Sequence, residues 1–462
     1  MTLWLILFYV AAQVMLAIWA GRGARSDADY LVAGRRLGPF AVAMSVFATW
    51  FASESLIATS GDVARDGLAG ARAEPFAYAI GIFAIGFYFA HRLRAGGYIT
   101  IADFLRERFG PGTESLAAVV IALSATTWSA AQLFAFATIL VSASPLDFAT
   151  ALAAATLVVM TYTLFGGLAG DVWTDVVQGA IMIVGIAILL GLMIAAFGGI
   201  GPTLAAASPA SFTFTVPGES WADGIELWLI PIIGTMVSQE AIARTLAARS
   251  PDIARKGALA GGAIYLTAGL IPVSFGLFGP ALAPILGITF GEGEAFLPSL
   301  AEALFPPWLY IIFTGALISA ILSSVDSALL AVSGVVTESG YRRLAPQASP
   351  VALLRAARTA TVLAAFVAAL LAAQGESLRN LVLDAGAIAA VLAVPIIAGL
   401  AGLSRSGRAA IAAILTQGTV LAIGDWWLGI DGAFLLMLTS GITVFALFAL
   451  AERRSAPSAA EG

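Results

Sequence analysis

Cysteine is missing from all 462 residues, and histidine occurs once, at His91. Without thiols there are no disulfides, thiolate ligands or thiol nucleophiles, and one imidazole cannot build a multi-histidine metal centre. Charge is also sparse, at 11% Asp, Glu, Lys and Arg, against roughly 25% in an ordinary globular domain. The formal net charge of −5 leaves no basic surface for nucleic acid. In place of charge, 60% of the residues are hydrophobic. The composition is that of an all-α polytopic membrane protein, with the lipid bilayer around its helices.

About 13 apolar segments are long enough to cross a hydrocarbon core of roughly 30 Å. The first, 3–20, has no preceding positive charge and no clear small-residue cleavage site, so it reads as a retained span rather than a signal peptide. The others fall near 39–61, 74–92, 113–142, 147–165, 173–198, 222–243, 257–280, 307–337, 351–373, 378–402, 407–424 and 430–450. Lys and Arg check this count through the positive-inside bias. With the N-terminus outside and the C-terminus inside, the cytoplasmic loops collect all 23 basic residues except Arg65, Arg72 and Arg379; Arg244 counts as a loop residue in this scheme. The expected location is the cell (inner) membrane. Loops 199–221 and 281–306 then lie outside, and the stretch after Arg454 is too short for a soluble output domain. Tyr98 to Phe109 predicts a short surface helix, with Ile101, Phe104 and Leu105 on one face and Asp103, Arg106 and Arg108 on the other.

Polar residues inside apolar spans are expensive and usually functional. In Ala316 to Leu330, ALISAILSSVDSALL, the residues Ala320, Ser323, Ser324 and Ser327 fall at i, i+3, i+4 and i+7 and share one helical face. Asp326 lies about 60° round the helix from Ser323. Glu54, in ATWFASES (Ala48 to Ser55), is a second mid-span carboxylate. Neither has an evident intramembrane Lys or Arg to pair with, which suits a cation pathway for sodium, a proton or a cationic solute. Pro231 and Gly234 interrupt the seventh segment, and backbone freed in a membrane helix must line protein or a water-filled cavity.

DADYLVAGRRLGPF (Asp27 to Phe40), GGLAGDVWTDVVQ (Gly166 to Gln178), QEAIARTLAARS (Gln239 to Ser250) and SAILSSVDSALL (Ser319 to Leu330) resemble successive signatures of the sodium:solute symporter family, over nearly the whole chain. The resemblance implies a LeuT-type fold with two inverted five-helix repeats. Mapped here, 1–38 holds a leading transmembrane helix and loop, 39–198 the first repeat, 199–221 an extracytoplasmic loop, 222–402 the second repeat, and 403–462 two trailing helices and a short tail. It also implies Na+ as coupling ion. The family's conserved sodium site corresponds to carbonyls of Ala48, Phe51 and Ala320 with the hydroxyls of Ser323 and Ser324. A second sodium, held in some members, would correspond to Asp175, Ser323, Asp326 and Ser327; Asp171 and Asp326 depart from the family pattern. The solute would sit among Thr49, Trp50, Ser53, Glu54, Trp128, Ser129, Gln132, Thr235 and Ser238.

These features predict a sodium-coupled symporter, not an enzyme, importing a small-molecule solute such as an amino acid, a carboxylate or a related metabolite by alternating access. Two alternatives stay open: a proton-coupled symporter using Asp326 or Glu54, and a membrane sensor working with a separate partner. A channel would need a continuous pore, and an intramembrane hydrolase would need a metal-ligand cluster or a Ser/His pair that the sequence does not offer.

Overall fold

The structure is a computed structural model describing residues 27–52, 54–375 and 377–455, with Ala11, Ala12, Met15, Leu16 and Trp19. The expected span 3–20 lies largely outside the described residues, as does Ser53. Everything described is helix and connection; no strand is present among the described residues.

Pro39 opens α1 (Pro39–Trp50) at a position where its missing N–H would have no partner. After a break the chain resumes as a π turn, Glu54–Ala58, and α2 (Thr59–Asp66). A helical stretch follows over 72–96. Then come α3 (Pro111–Ala143) and α4 (Phe148–Ala196). Gly167, with φ 56° and ψ −172°, kinks α4 into two apolar spans, and a Cβ there would stand 2.7 Å from the Tyr30 ring. Next are α5 (Trp221–Val237), α6 (Gln239–Leu246), α7 (Pro251–Phe278), α8 (Pro307–Val335) and α9 (Pro350–Ala372). The chain finishes with α10 (Leu378–Ala390), α11 (Ala393–Leu400), α12 (Gly407–Leu421) and α13 (Ala433–Ser455).

Ten described helices are long and apolar enough to cross a membrane, or eleven if α10 and α11, bent by 45°, count as one span. The protein is therefore a multi-pass membrane protein. Length alone does not reproduce the expected count of about 13, because α1 stops at Trp50 and is too short to qualify by itself. Every expected span from residue 39 onward is nevertheless occupied by helix.

The predicted surface helix forms at Ile101–Phe109, where Thr100 and Asp103 close a capping box. Its apolar side, Ile101, Phe104 and Leu105, is buried. Phe104 and Phe109 close on Gly399 in α11. This helix marks one end of the bundle; loop 199–221 marks the other, joined to α2's neighbourhood where Ser211 abuts Gly67. Between the ends, α8 packs on α1, α3, α4 and α9, and α5 packs on α10. That arrangement seats the serine file of α8 against the end of α1.

Candidate ion and solute site

The site is built around two helices that stop inside the bundle. At Phe51 the backbone leaves the helical region, with φ −91° and ψ 70°, although its N–H still donates to the Phe47 carbonyl at 2.9 Å. No Gly or Pro causes this break. The tertiary contacts around it hold it instead: Ser324 Oγ on α8 donates to the Thr49 carbonyl at 2.9 Å, and Ser55 Oγ donates to the Trp50 carbonyl at 2.8 Å. The second break is at Ser238, with ψ 133°, whose Oγ caps α6 by accepting from Ala241 N. Here the sequence reading is corrected, since α5 runs unbroken through Pro231 and Gly234. Gly234 serves packing: a Cβ on it would stand 2.8 Å from the Gly386 carbonyl oxygen, so α5 and α10 meet backbone to backbone.

Of the residues expected to hold a second ion, Asp175 meets Ser323, and Ser327 reaches the Ser323 carbonyl and Asp171, while Asp326 makes no hydrogen bond to any of them. Asp175 accepts from Ser323 Oγ at Oδ1 and from Ser45 Oγ at Oδ2, the latter at 2.5 Å. Ser327 Oγ lies 2.9 Å from the Ser323 carbonyl and 3.2 Å from Asp171 Oδ2. Asp326 is fully buried, and neither of its oxygens has a hydrogen-bond partner among the described residues.

Arg244 changes the electrostatics assumed from sequence. It is fully buried rather than in a loop, pairs with Asp171, donates to Thr49 Oγ1 at 3.0 Å and to Ser327 Oγ, and stands 3.8 Å from Asp175. Asp171 and Asp175 thus have an internal guanidinium, and Asp171 is its ion-pair partner. Among the described residues no three of His, Cys, Asp and Glu converge as a metal-binding group. What converges at the α1 break is hydroxyl and carbonyl oxygen, a donor set that fits a small hard monovalent cation.

Beside the break is a narrow pocket lined by Trp50, Tyr78, Trp128, Thr235, Ser238 and Glu240, among others. Trp50 and Trp128 meet edge to face with centroids 4.8 Å apart, and Trp50 lies 5.2 Å from Tyr78. Of the residues expected to hold the solute, Trp50, Trp128, Thr235 and Ser238 line this pocket. Thr49 is taken up by Ser45 and Arg244, and Ser129 back-bonds to the Ala125 carbonyl. Gln132 Nε2 donates to Glu54 Oε2 at 2.9 Å, linking Gln132 to a second, larger cavity lined by Glu54, Glu74 and Tyr78.

Four further residues join this site. Ser45 sits one turn before Thr49, a spacing that gives a visible signal, and Tyr78 is an aromatic inside an apolar run. Glu74 stands at the edge of an expected span and so looks solvent-facing; in the fold it is buried, accepting from Ser55 Oγ at 2.7 Å and from Tyr265 OH. Arg244 follows a break that only the fold locates. At the mouth of the larger cavity, Arg72 makes a two-pronged pair with Glu219 of the 199–221 loop, at 2.6 and 2.7 Å. Those hydrogen bonds hold the Glu219 carboxyl below its ordinary value, with the Arg72 charge adding to the effect.

The profile of the sodium:solute symporter family matches residues 30–401. The sodium/proline symporter of Escherichia coli (strain K12) is 28% identical over 98% of this chain and 93% of its own. The sodium/glucose cotransporter of Vibrio parahaemolyticus is 26% identical over 88% and 82%, and the high-affinity choline transporter 1 of Drosophila melanogaster 25% over 82% and 62%. A sodium-coupled sialic acid symporter, solved substrate-bound and outward-open, superposes with a TM-score of 0.83 at 18% identity, covering 97% of this chain and 98% of that one. A nucleobase–cation symport transporter in a closed conformation superposes at 0.62 with 17% identity, over 93% and 96%. The fold they share is the LeuT type.

Proposed function

Because this chain belongs to the sodium:solute symporter family, we propose that a sodium ion bound where α1 breaks against α8 drives import of a small polar organic solute through the aromatic pocket beside it. Sodium-coupled symport of a small solute is the class of activity. The site, the direction and the solute are our assignment.

One observation carries the site. Ser324 Oγ reaches from α8 to the Thr49 carbonyl at the end of α1, so the two elements expected to supply sodium's oxygens are in contact. Ala48 and Phe51 lie on either side of Thr49 on the broken segment, and Ala320 and Ser323 precede Ser324 on α8, one turn and one residue before it. Ion and solute would be coupled because each binds one shared conformation better than its alternative, and such coupling is reciprocal. The repeats are assigned to 39–198 and 222–402, each opening with a broken helix, as a midplane site between inverted halves requires. The end carrying 199–221 is assigned outside. The opposite end, where Arg94 donates to the Ala248 carbonyl and Arg35 to that of Gly97, is assigned to the cytoplasm.

At the second sodium position, Arg244 already provides a positive charge to Asp171 and Asp175. This supports one sodium per cycle. Asp326, with two partnerless buried oxygens among the described residues, favours a second reading in which it carries a proton.

Uptake into proteoliposomes separates the readings. An inward sodium gradient at equal pH should drive accumulation of the transported solute, and Ser323→Ala or Ser324→Ala should sharply weaken its sodium dependence. Accumulation driven by a pH gradient in sodium-free buffer would favour Asp326, and equal uptake by wild type and both serine variants at low sodium would defeat the site assignment.

A further inference from the structure

We propose that the transported solute carries a positively charged nitrogen, seated against Trp50, Tyr78 and Trp128 with Glu54 and Glu74 as its counter-charge. This deepens the preceding reading and takes the location of the solute site from it.

Two adjoining cavities share Tyr78. In the larger one, Glu54, Asp62 and Glu74 are the lining carboxylates, and Arg72 and Arg379 the lining cations. Both guanidiniums are committed elsewhere: Arg72 to Glu219, and Arg379 to Asp62 at 3.2 Å. Neither is left over for Glu74, whose Oε1 is buried and has no hydrogen-bond partner among the described residues. Glu54, buried and joined to Gln132, adds a second acid to the same cavity. Burying such a pair of acids is costly unless a cation joins them.

The smaller cavity supplies the other half of the recognition. Among the described residues no Lys or Arg lines it, whereas Trp50, Tyr78 and Trp128 do. A cation seated over the face of such a ring, within about 6 Å of its centroid, is attracted by the ring quadrupole, most strongly where water is excluded. An anionic solute would instead face Glu54, Glu74 and Glu240 with no uncommitted guanidinium on either cavity's wall to meet it. Trp50 Nε1 and Thr235 Oγ1, both buried without partners among the described residues, are left to bond an acceptor on the same solute. The fitting class is a small ammonium compound with an oxygen acceptor, zwitterions included.

The test uses the full chain in lipid nanodiscs with saturating sodium and two shape-matched pairs of probes: choline against 3,3-dimethylbutan-1-ol, and proline against cyclopentanecarboxylate. In at least one pair the nitrogen-bearing member should bind at least about tenfold more tightly. Glu74→Gln or Glu54→Gln should remove most of that preference while sodium alone still stabilises the protein. Equal binding within both pairs, tighter binding of cyclopentanecarboxylate, failure of all four probes, or a preference intact in both variants would each overturn the proposal. Loss of sodium stabilisation in the wild type would instead strike the symporter reading, so the two failures are distinguishable. Should Glu74→Gln not fold, Glu54→Gln and Trp128→Leu carry the same comparison.

Discussion

Replacing Arg244 by Met tests the buried charge arrangement most directly. The guanidinium is fully buried, pairs with Asp171, lies 3.8 Å from Asp175 and donates to Thr49 and Ser327. Removing it strands two carboxylates that had a cation beside them, and breaking one side of a buried ion pair costs about 3–5 kcal/mol. Removing Asp171 as well costs less, because only Asp175, the more distant carboxylate, then loses its cation. Arg244→Met with Asp171→Leu should therefore recover about 2 kcal/mol or more of the single-variant loss, a coupling within the range found for contacting residues. The measurement is a double-mutant cycle on urea unfolding in detergent micelles, with sodium titrated in parallel. Arg244→Met alone should raise the stabilisation obtained from added sodium, since Asp171 and Asp175 would then have only the ion to neutralise them. Additive effects within about 0.5 kcal/mol, together with an unchanged response to sodium, would refute the view that Arg244 acts as the resident cation.

Other outcomes follow from individual side chains. Ser324→Ala removes the hydroxyl that bonds the Thr49 carbonyl and should weaken half-saturation by sodium roughly 5- to 150-fold, the equivalent of about 1–3 kcal/mol for leaving a buried polar group unsatisfied; sodium-dependent uptake checks it. Gly234→Ala pushes a methyl to 2.8 Å from the Gly386 carbonyl oxygen, whereas on Gly386 the added methyl meets the Ile230 Cγ2 at 3.3 Å. Gly234→Ala should therefore cost about 1–3 kcal/mol and Gly386→Ala less, as thermal stability in micelles would report. The Arg72–Glu219 pair gives a pH dependence of known sign. Since the folded carboxyl is held below its ordinary value, its contribution is present above about pH 4.3. That contribution fades as acidification passes through the lowered value, and Glu219→Gln should flatten this part of a stability-against-pH profile.

Apolar length made the membrane class and most of the helices from residue 39 onward legible, because lipid imposes a minimum run of hydrophobic side chains. The serine file of α8 was legible for the same kind of reason: hydroxyls at helical spacing in a lipid-length segment form a pattern. The breaks were not. Pro231 looks like an interruption, yet it sits inside a continuous helix, and the true break at Ser238 depends on capping and on packing against α1. Phe51 carries no residue-type mark at all. Arg244 escaped because a basic residue just past an apolar run scans as loop; only the displaced break puts it beside Asp171. Glu74 escaped for the mirror-image reason, as an acid at a span boundary whose burial is decided by Tyr265 on α7. Local pattern reports what a helix is, and these residues report where it ends and what it meets.

The early end of α1 also has an electrostatic meaning. A helix that terminates inside the bundle leaves its last carbonyls unpaired by the next turn, and they carry the negative pole of the aligned peptide dipoles, equivalent to roughly half an elementary charge. Such a pole attracts a monovalent ion without the full, permanent charge of a carboxylate, so in the proposed cycle the hold would be firm while the end faces α8 and would loosen if the two separated.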